Sequence, residues 1–243
     1  YDNKIPSTLT AEQILIRSGN IGSVKIGQIV GEDKFKSFLS KVDILQKTNF
    51  DIEEIGTPIK FNWGKCPLAT ASFGHGITTT LLQLAKAYSI IANGGYNIQP
   101  TLIKEKKKFK KEKILNQEVS KKILPILRKI VTTKEGTASL ANVSGYEIGG
   151  KTGTAQKSVG GVYTKKKINS FISVFPTSNP KFVLAIMLDE PKTNEDYIYH
   201  YRDGSNIKYK GTPYNTSGWT TVEVTGQIIE KIGPILATKY SKE

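Results

Sequence analysis

The sequence predicts an α/β domain of the α+β type, in which helices cover an antiparallel sheet. Before Gly136, apolar residues recur at helical spacing, whereas between residues 146 and 189 they follow the pattern of strands. A final amphipathic segment follows these strands. Helices first, strands next and a closing helix are typical of a sheet with helices packed on it. At 243 residues, the chain is long enough to bury a sizeable core in this arrangement.

The amino-terminal part is predicted to form three short helices separated by polar breaks. Thr10 and Gln13 match a capping box, in which a threonine hydroxyl and a glutamine side chain cap the helix start reciprocally. The tripeptide Ser18-Gly19-Asn20 follows as a break, and Gly31 ends the second helix. The predicted helices span residues 10–17, 21–30 and 33–42.

The middle of the chain alternates between irregular and helical patterns. Residues 46–74 are predicted to be irregular because prolines and glycines interrupt any regular period. The lysine-rich run at 104–113 is predicted to be a polar loop or hairpin, since it has no helical apolar stripe. Two longer helices are predicted at 78–93 and 116–133.

The pattern changes to that of strands in the last part of the chain. Three successive strands are predicted at 146–156, 169–175 and 181–189. Residues 190–218 form a polar, tyrosine-rich segment that is too long for an ordinary connection, so it is either functional or mobile. Its tyrosines either present a surface to a partner or pack the loop. The closing helix is predicted at 222–236.

The composition is that of a globular protein with a basic surface. The formal charge of +14 indicates an acidic partner or surface, which fits either a solvated anion-attracting face or a nucleic-acid site. The apolar runs are too short to span a bilayer, and no stretch matches a signal peptide. Since the chain opens at Tyr1 without Met, a targeting segment could be missing from it. The single cysteine, Cys66, excludes an internal disulfide and is predicted to be a packing residue.

The stretch at 149–157 has groups that suit a peptide ending in a carboxylate. It presents a cation at Lys151, hydroxyls at Thr152 and Thr154, and no side chain at Gly153. In a strand, Lys151 and Gly153 share one face and the two threonines share the other. A twist or bulge near the glycines could bring the hydroxyls round to the Lys151 side. Gly153 would also let another backbone approach closely.

Ser18 and Asn20 form a second polar motif, 133 residues before Lys151. Ser-x-Asn between helices, followed by Lys-Thr-Gly on a strand, resembles the second and third motifs of the penicillin-binding protein and serine β-lactamase superfamily. The flanking residues 72–85, 91–95, 136–138 and 145–157 are similar to those of class B penicillin-binding proteins. Residues 189–192 and the closing helix resemble the septal, cell-division branch.

The resemblance implies a β-lactamase/transpeptidase-like fold and a peptidoglycan D,D-transpeptidase, which cross-links stem peptides through a serine acyl-enzyme. Ser18 would relay a proton to the leaving group, and Lys151 would hold positive charge beside it. Asn20 would hold the backbone amide of the substrate through its side chain.

The remaining residues of the third motif would then bind the substrate. Thr152 and Thr154 would hydrogen-bond the terminal carboxylate of the stem peptide, or the ring carboxylate of a penicillin. The backbone N–H of Thr154 would be one oxyanion-hole donor. Gly153 would leave room for the substrate to lie as an added strand.

The first motif of the superfamily, Ser-x-x-Lys, carries the acylated serine and has no counterpart before Ser18. Matches at 178–181 and 205–208 both follow Lys151, which is the wrong order, and we reject them as nucleophiles. We therefore expect residues 1–243 to be the C-terminal portion of a single transpeptidase domain that is incomplete at its N-terminal side. We expect this portion to be inactive by itself. The alternative is a natural scaffold protein without a nucleophile.

The resemblance also implies ligands, partners and a location. The ligands would be peptidoglycan stem peptides and β-lactam antibiotics, with cell-division membrane proteins as candidate partners and with no cofactor, metal or nucleic acid. The location would be the periplasmic face of the bacterial inner membrane, with the anchor upstream of this chain. The alternatives are a D,D-carboxypeptidase or a β-lactamase of the same superfamily. From the charge alone, a basic module that binds nucleic acid or a surface is a further alternative.

Overall fold

The computed structural model describes residues 5–52, 56–104, 112–160, 162–211 and 214–240, without the side chain of Tyr240. Helices come first, strands follow and a helix closes the chain, as the sequence predicts. The helices are α1 (Ala11–Arg17), α2 (Asn20–Val30), α3 (Glu32–Lys41), α4 (Lys65–Ala71), α5 (Leu81–Ala92), α6 (Gln117–Thr132) and α7 (Thr221–Tyr240). The strands are β1 (Gly149–Val159), β2 (Val162–Phe175), β3 (Phe182–Asp189), β4 (Ile198–His200) and β5 (Lys208–Lys210).

The first three helices lie within one or two residues of their predicted positions. The capping box of α1 is confirmed, because Thr10 Oγ1 accepts a hydrogen bond from the Gln13 N–H and Gln13 Oε1 accepts one from the Thr10 N–H. Helix α1 ends at Ser18, whose φ of 56° and ψ of 45° lie in the left-handed region. This conformation is uncommon for a residue other than glycine. It turns the chain so that α2 begins at Asn20, only two residues later.

Helix α4 shows that the prediction of irregular structure throughout residues 46–74 was wrong. The helix starts directly after Gly64, and Pro67 lies in its first turn, where a proline removes no hydrogen bond. The residues that obscured the helix in the sequence therefore mark its beginning. Cys66 is exposed on α4, so its prediction as a packing residue was also wrong. Most of the predicted loop or hairpin at 104–113 lies outside the described residues.

Helices and sheet share one main hydrophobic core. Ile130 of α6, Phe171 of β2 and Ile229 of α7 are fully buried in it. Helix α5 lies against β2 and β3. Its fully buried residue Ile90 belongs to a second, smaller hydrophobic cluster. The predicted α+β class, with helices covering an antiparallel sheet, is confirmed. Across the described ranges, no helix is both long enough and apolar enough to cross a bilayer.

The main sheet has the strand order β1-β2-β3, with both pairs antiparallel. Among the described residues, β1 pairs in this sheet with β2 alone, so its other side is an open edge. Both β1 and β2 extend further into their shared hairpin than predicted. The prediction stopped short because the polar, lysine-rich residues there show no apolar alternation. The pairing register shifts between Gln156 and Ser158, which places a bulge in the hairpin.

The described parts of the segment at 190–218, residues 190–211 and 214–218, contain residues that pack against α7. They include the two-stranded sheet of β4 and β5, and Tyr199 lies with its ring centroid 4.8 Å from that of Tyr197 and 5.0 Å from that of Trp219. Arg202 donates to both carboxylate oxygens of Glu223 at 2.8 Å, and both side chains are almost fully buried. Bidentate pairs of this kind fix geometry as well as charge. Tyr197 and Tyr199 therefore pack the loop, whereas Tyr209 and Tyr214 of the same segment are exposed. Packing, one of the two predicted alternatives, is thus confirmed for only part of the set.

Candidate active site

Strand β1 brings Lys151 against the turn that ends α1. Lys151 Nζ donates a hydrogen bond to Ser18 Oγ at 2.7 Å and another to the carbonyl oxygen of Thr152 at 3.0 Å. Burial lowers the pKa of Lys151 to about 8. A buried ammonium loses hydration, and this loss favours its neutral form. Lys151 is therefore mostly charged at neutral pH and can exchange a proton with a neighbouring hydroxyl near that pH.

An apolar cavity beside Lys151 accounts for this loss of hydration. Its volume is about 270 Å³, and its walls include Leu15 of α1, Tyr88 of α5 and Leu127 of α6. The same burial raises the pKa of Tyr88. The ammonium group of Lys151 thus lies between an apolar wall and the hydroxyl of Ser18.

The backbone of Ser18 ends α1, and its side chain is left for Lys151. The Ser18 N–H donates to the carbonyl oxygen of Leu15 at 3.3 Å, while Ser18 Oγ accepts from Lys151 and not from its own helix. Asn20, the exposed first residue of α2, lies two positions further along. Hydrogen bonds join Ser18, Lys151 and Thr152, and Ser217 joins Gly153 to Thr154. Among the described residues, Asn20 belongs to neither set. The structure thus brings Ser18 and Lys151 together and leaves Asn20 on the adjoining surface.

The ammonium group of Lys151 comes close to the hydroxyl of Thr152 because the lysine side chain reaches it, and not because the strand has a bulge there. Lys151 Nζ lies 3.5 Å from Thr152 Oγ1, although the two residues start on opposite faces of β1. The register shift of the strand lies beyond Gln156, so the expected twist or bulge near the glycines is not the cause. On its other side, Thr152 Oγ1 lies 2.7 Å from Thr137 Oγ1, in the loop that follows α6.

Thr154 is held by the short 3-10 turn Ser217–Trp219, which precedes α7. Thr154 Oγ1 accepts a hydrogen bond from the Ser217 N–H at 3.0 Å and lies 3.0 Å from Ser217 Oγ. Ser217 Oγ also donates to the carbonyl oxygen of Gly153. Thr154 is exposed, whereas Ser217 is buried. The exposed hydroxyl of Thr154 at the edge of the sheet is therefore held by hydrogen bonds to a buried residue, Ser217.

Glycines allow close packing on both sides of Lys151. A Cβ atom at Gly149 would lie 2.8 Å from the backbone nitrogen of Arg128, so α6 can contact β1 only because Gly149 has no side chain. A Cβ atom at Gly153 would lie 2.7 Å from Ser170 Oγ, its partner on β2. Gly153 thus has a packing reason within the sheet in addition to the predicted approach of a substrate.

Sequence reasoning missed Thr137 and Ser217. Thr137 falls in the flanking segment 136–138, which carried the resemblance but suggested no role for this residue. Ser217 is a single hydroxyl at the end of the tyrosine-rich segment, and it had no motif to mark it. Both act through contacts between distant parts of the chain, which no spacing rule describes.

The two late Ser-x-x-Lys matches lie on turns. Ser178 follows β2 and donates to the carboxylate of Glu147, which lowers the pKa of that glutamate. Ser205 lies in the turn before β5, where its N–H donates to Asp203 at 3.0 Å. Neither serine lies on a helix that would align it with a lysine one turn later, which agrees with their rejection as nucleophiles.

Comparison with known proteins identifies the family. The family described as penicillin binding protein transpeptidase domain matches residues 1–206, and the chain belongs to this family. A probable peptidoglycan D,D-transpeptidase FtsI of Caulobacter vibrioides is 27% identical over 248 residues, which cover 98% of this chain and 40% of that protein. Stage V sporulation protein D of Bacillus subtilis is 35% identical over 196 residues, covering 74% of this chain and 30% of that protein.

The solved structures agree in fold. The transpeptidase domain of penicillin-binding protein 3 from Burkholderia pseudomallei superposes with a TM-score of 0.78 at 26% identity, covering 96% of this chain and 65% of that one. The chain therefore spans less than half of the length of the two curated relatives and about two thirds of this solved domain.

Proposed function

We propose that the protein to which this chain belongs is a peptidoglycan D,D-transpeptidase, which cross-links stem peptides during septal cell-wall synthesis by way of a serine acyl-enzyme. The observation that carries the proposal is the 2.7 Å hydrogen bond from Lys151 Nζ to Ser18 Oγ. It joins two motifs that lie 133 positions apart, beside an open sheet edge that presents Thr152 and Thr154. The similarity to relatives named as D,D-transpeptidases supports the same reaction.

The reaction has two acyl transfers. In the first, a serine hydroxyl attacks the carbonyl carbon of the D-Ala-D-Ala bond, the C–N bond breaks, and the terminal D-alanine leaves with a proton on its amine. In the second, an amine of another stem peptide attacks the ester, a new amide forms, and the serine recovers its proton. On this proposal the attacking serine belongs to a Ser-x-x-Lys motif that precedes Ser18 in the longer protein, and residues 1–243 supply the rest of the site.

The direction of the Ser18–Lys151 hydrogen bond suits a proton relay. A charged lysine can only donate, so Ser18 Oγ accepts from Lys151 and its own proton is free to move to the leaving amine. Lys151, whose pKa burial lowers to about 8, can then replace that proton. General acid catalysis of this kind contributes about 10²- to 10⁴-fold to a rate.

The edge of β1 suits the binding of an extended peptide. The hydroxyls of Thr152 and Thr154 would bind its terminal carboxylate next to the charge of Lys151, and the Thr154 N–H would stabilise the oxyanion. Gly153 would let the peptide backbone lie along the strand. Asn20 would hold the backbone amide of the peptide from the opposite side of the site.

The proposal extends to ligands and location. Two solved structures of penicillin-binding protein 3 from Mycobacterium tuberculosis are similar in fold at 24% identity. One is a complex with aztreonam and has a TM-score of 0.75, and the other is a complex with ampicillin and has a TM-score of 0.76. By the same carboxylate site, β-lactams would acylate the longer protein. We place its catalytic part at the periplasmic face of the inner membrane, with cell-division membrane proteins as partners.

The test uses the full-length protein and two assays. Incubation with a fluorescent penicillin should give a covalent label that survives denaturation, and residues 1–243 alone should stay unlabelled. Incubation with stem pentapeptides and an acceptor amine should then give cross-linked dimers. Free D-alanine without dimers would indicate a carboxypeptidase, and rapid turnover of penicillin would indicate a β-lactamase. The absence of any covalent label on the full-length protein would contradict the proposal.

A further inference from the structure

We propose that Ser217 is a positioning residue that holds the hydroxyl of Thr154 as a hydrogen-bond donor for a carboxylate ligand. Ser217 is 1% exposed, whereas Thr154, which it contacts, is exposed at the sheet edge. This inference rests on the proposed function, since it concerns how the same site recognises the carboxylate of its ligand.

The donors and acceptors around Thr154 leave one consistent arrangement. A backbone N–H can only donate, so Thr154 Oγ1 accepts from Ser217 N at 3.0 Å. A carbonyl oxygen can only accept, so Ser217 Oγ gives its single proton to Gly153. In the remaining contact, between Thr154 Oγ1 and Ser217 Oγ at 3.0 Å, Thr154 must therefore be the donor.

This arrangement suits a carboxylate, which accepts hydrogen bonds and cannot donate them. When a carboxylate arrives, the proton of Thr154 turns from Ser217 Oγ to the ligand. The Ser217 N–H keeps hold of the threonine oxygen throughout, so the side chain stays in place. At Thr152 the corresponding partner is the hydroxyl of Thr137, and either atom of that pair can be the donor. The contacts therefore fix the donor role at Thr154 and leave it open at Thr152.

The turn that carries Ser217 is itself anchored to the strand that faces Thr154. Asn169 is the partner of Thr154 on β2 and is fully buried. Its side-chain amide donates to Asn215 Oδ1 at 3.0 Å and to Thr220 Oγ1 at 2.9 Å, on either side of Ser217. Ser217 is thus fixed relative to Thr154 through the sheet as well as through its own hydrogen bonds.

The test compares ligands with and without a carboxylate on the full-length protein. Ser217→Ala keeps the backbone N–H but removes the hydroxyl that bonds the turn to the Gly153 carbonyl oxygen. The freed turn should then hold Thr154 Oγ1 less firmly, so acylation by benzylpenicillin should slow about fivefold, the scale of one neutral hydrogen bond. Acylation by the methyl ester of benzylpenicillin should change less than twofold. Ser205→Ala, an exposed serine of the same segment, is the matched control and should leave both rates unchanged.

A double variant separates positioning of Thr154 from general damage. If Ser217 acts through Thr154, then Ser217→Ala should slow acylation by benzylpenicillin no further when Thr154→Ala is already present. Equal slowing with acid and ester, an additive double variant, or no slowing by Ser217→Ala would overturn the inference. A wild-type protein that penicillin does not acylate would instead contradict the proposed function, so the two failures are distinguishable.

Discussion

The two sides of the candidate site are built in different ways. On the strand side, residues 151–154 lie in β1 and pair one by one with residues 169–172 of β2. On the turn side, Ser18 ends a helix of seven residues, with a φ of 56° and an exposed side chain. Helix α1 is tied to α6 by Ile16, which is buried in the main core, and by the exposed ion pair Lys129–Glu12 at 2.6 Å, which contributes little to stability.

The comparison shows that the sheet provides the fixed reference of the site. Thr137 hydrogen-bonds the hydroxyl of Thr152, and Ser217 hydrogen-bonds that of Thr154. The position of Ser18 depends instead on a local backbone conformation that is costly for a serine. Lys151 belongs to the strand side and reaches the turn side through its bond to Ser18. Variants of the threonines and glycines of the strand side should therefore affect ligand binding or folding, and variants of Ser18 or Lys151 should affect proton transfer.

The largest effect is expected at Lys151. Lys151→Ala in the full-length protein should slow acylation by penicillin about 10²- to 10³-fold, since it removes a charge that is used at the reacting centre. The protein should remain folded, because it loses a buried charge and not a packed core side chain. Lys157→Ala is the matched control. Lys157 lies on the same strand but pairs with Asp189 at 3.0 Å and Glu190 at 2.9 Å in the hairpin. Normal acylation in Lys151→Ala would contradict the role of Lys151.

Two substitutions of Ser18 should distinguish the chemical role of its hydroxyl from the strain of its backbone. Ser18→Ala and Ser18→Gly both remove the hydroxyl, so each should slow acylation about a hundredfold. Glycine adopts a positive φ without steric cost, so Ser18→Gly should be about 1 kcal/mol more stable than Ser18→Ala in urea unfolding. Equal stability of the two variants would show that the turn does not impose this conformation.

Alanine substitutions of the two glycines that flank Lys151 should lower the stability of the protein by different amounts. Gly149→Ala should lower the free energy of unfolding by about 1–3 kcal/mol, because its Cβ atom meets the backbone of α6, which cannot move away easily. Gly153→Ala meets only the side-chain oxygen of Ser170, and the double variant Gly153→Ala/Ser170→Ala should recover most of its smaller loss. Thermal unfolding of the three variants checks this order.

The pH dependence should report the burial of Lys151. With a pKa of about 8, the charged fraction of Lys151 falls about tenfold between pH 7 and 9, and the rate of acylation by benzylpenicillin should fall by a similar factor. Lys151 binds its proton less tightly in the folded protein than in the unfolded chain, where its pKa is 10.5. Its contribution to stability should therefore rise with pH between about 8 and 10.5. Unfolding of wild type and Lys151→Met across this range checks the sign.

The sequence was sufficient for the class of fold and for the pairing of the two motifs. The capping box at Thr10, the αα arrangement around Ser18 and the strand that holds Lys151 all follow from local rules, and the structure agrees with them. Family membership confirms the resemblance on which the roles were based.

The rest depended on contacts that local rules do not encode. The start of α4 was obscured by Gly64 and Pro67, whose meaning changes with their position in a helix. The long hairpin of β1 and β2 is polar on its exposed part, so no alternation marks it. Thr137 and Ser217 reach the site only through tertiary packing. The roles of Ser18, Asn20, Lys151, Thr152, Gly153 and Thr154 remain predictions until they are measured.

The most direct test of the account is a double-mutant cycle between its two sides. The rate of penicillin acylation would be measured for full-length wild type, Ser18→Gly, Lys151→Ala and the double variant. If the 2.7 Å contact makes Ser18 and Lys151 one proton-handling unit, the double variant should be no slower than Lys151→Ala alone. Losses that multiply in the double variant would show that the two residues act independently, and would contradict the account.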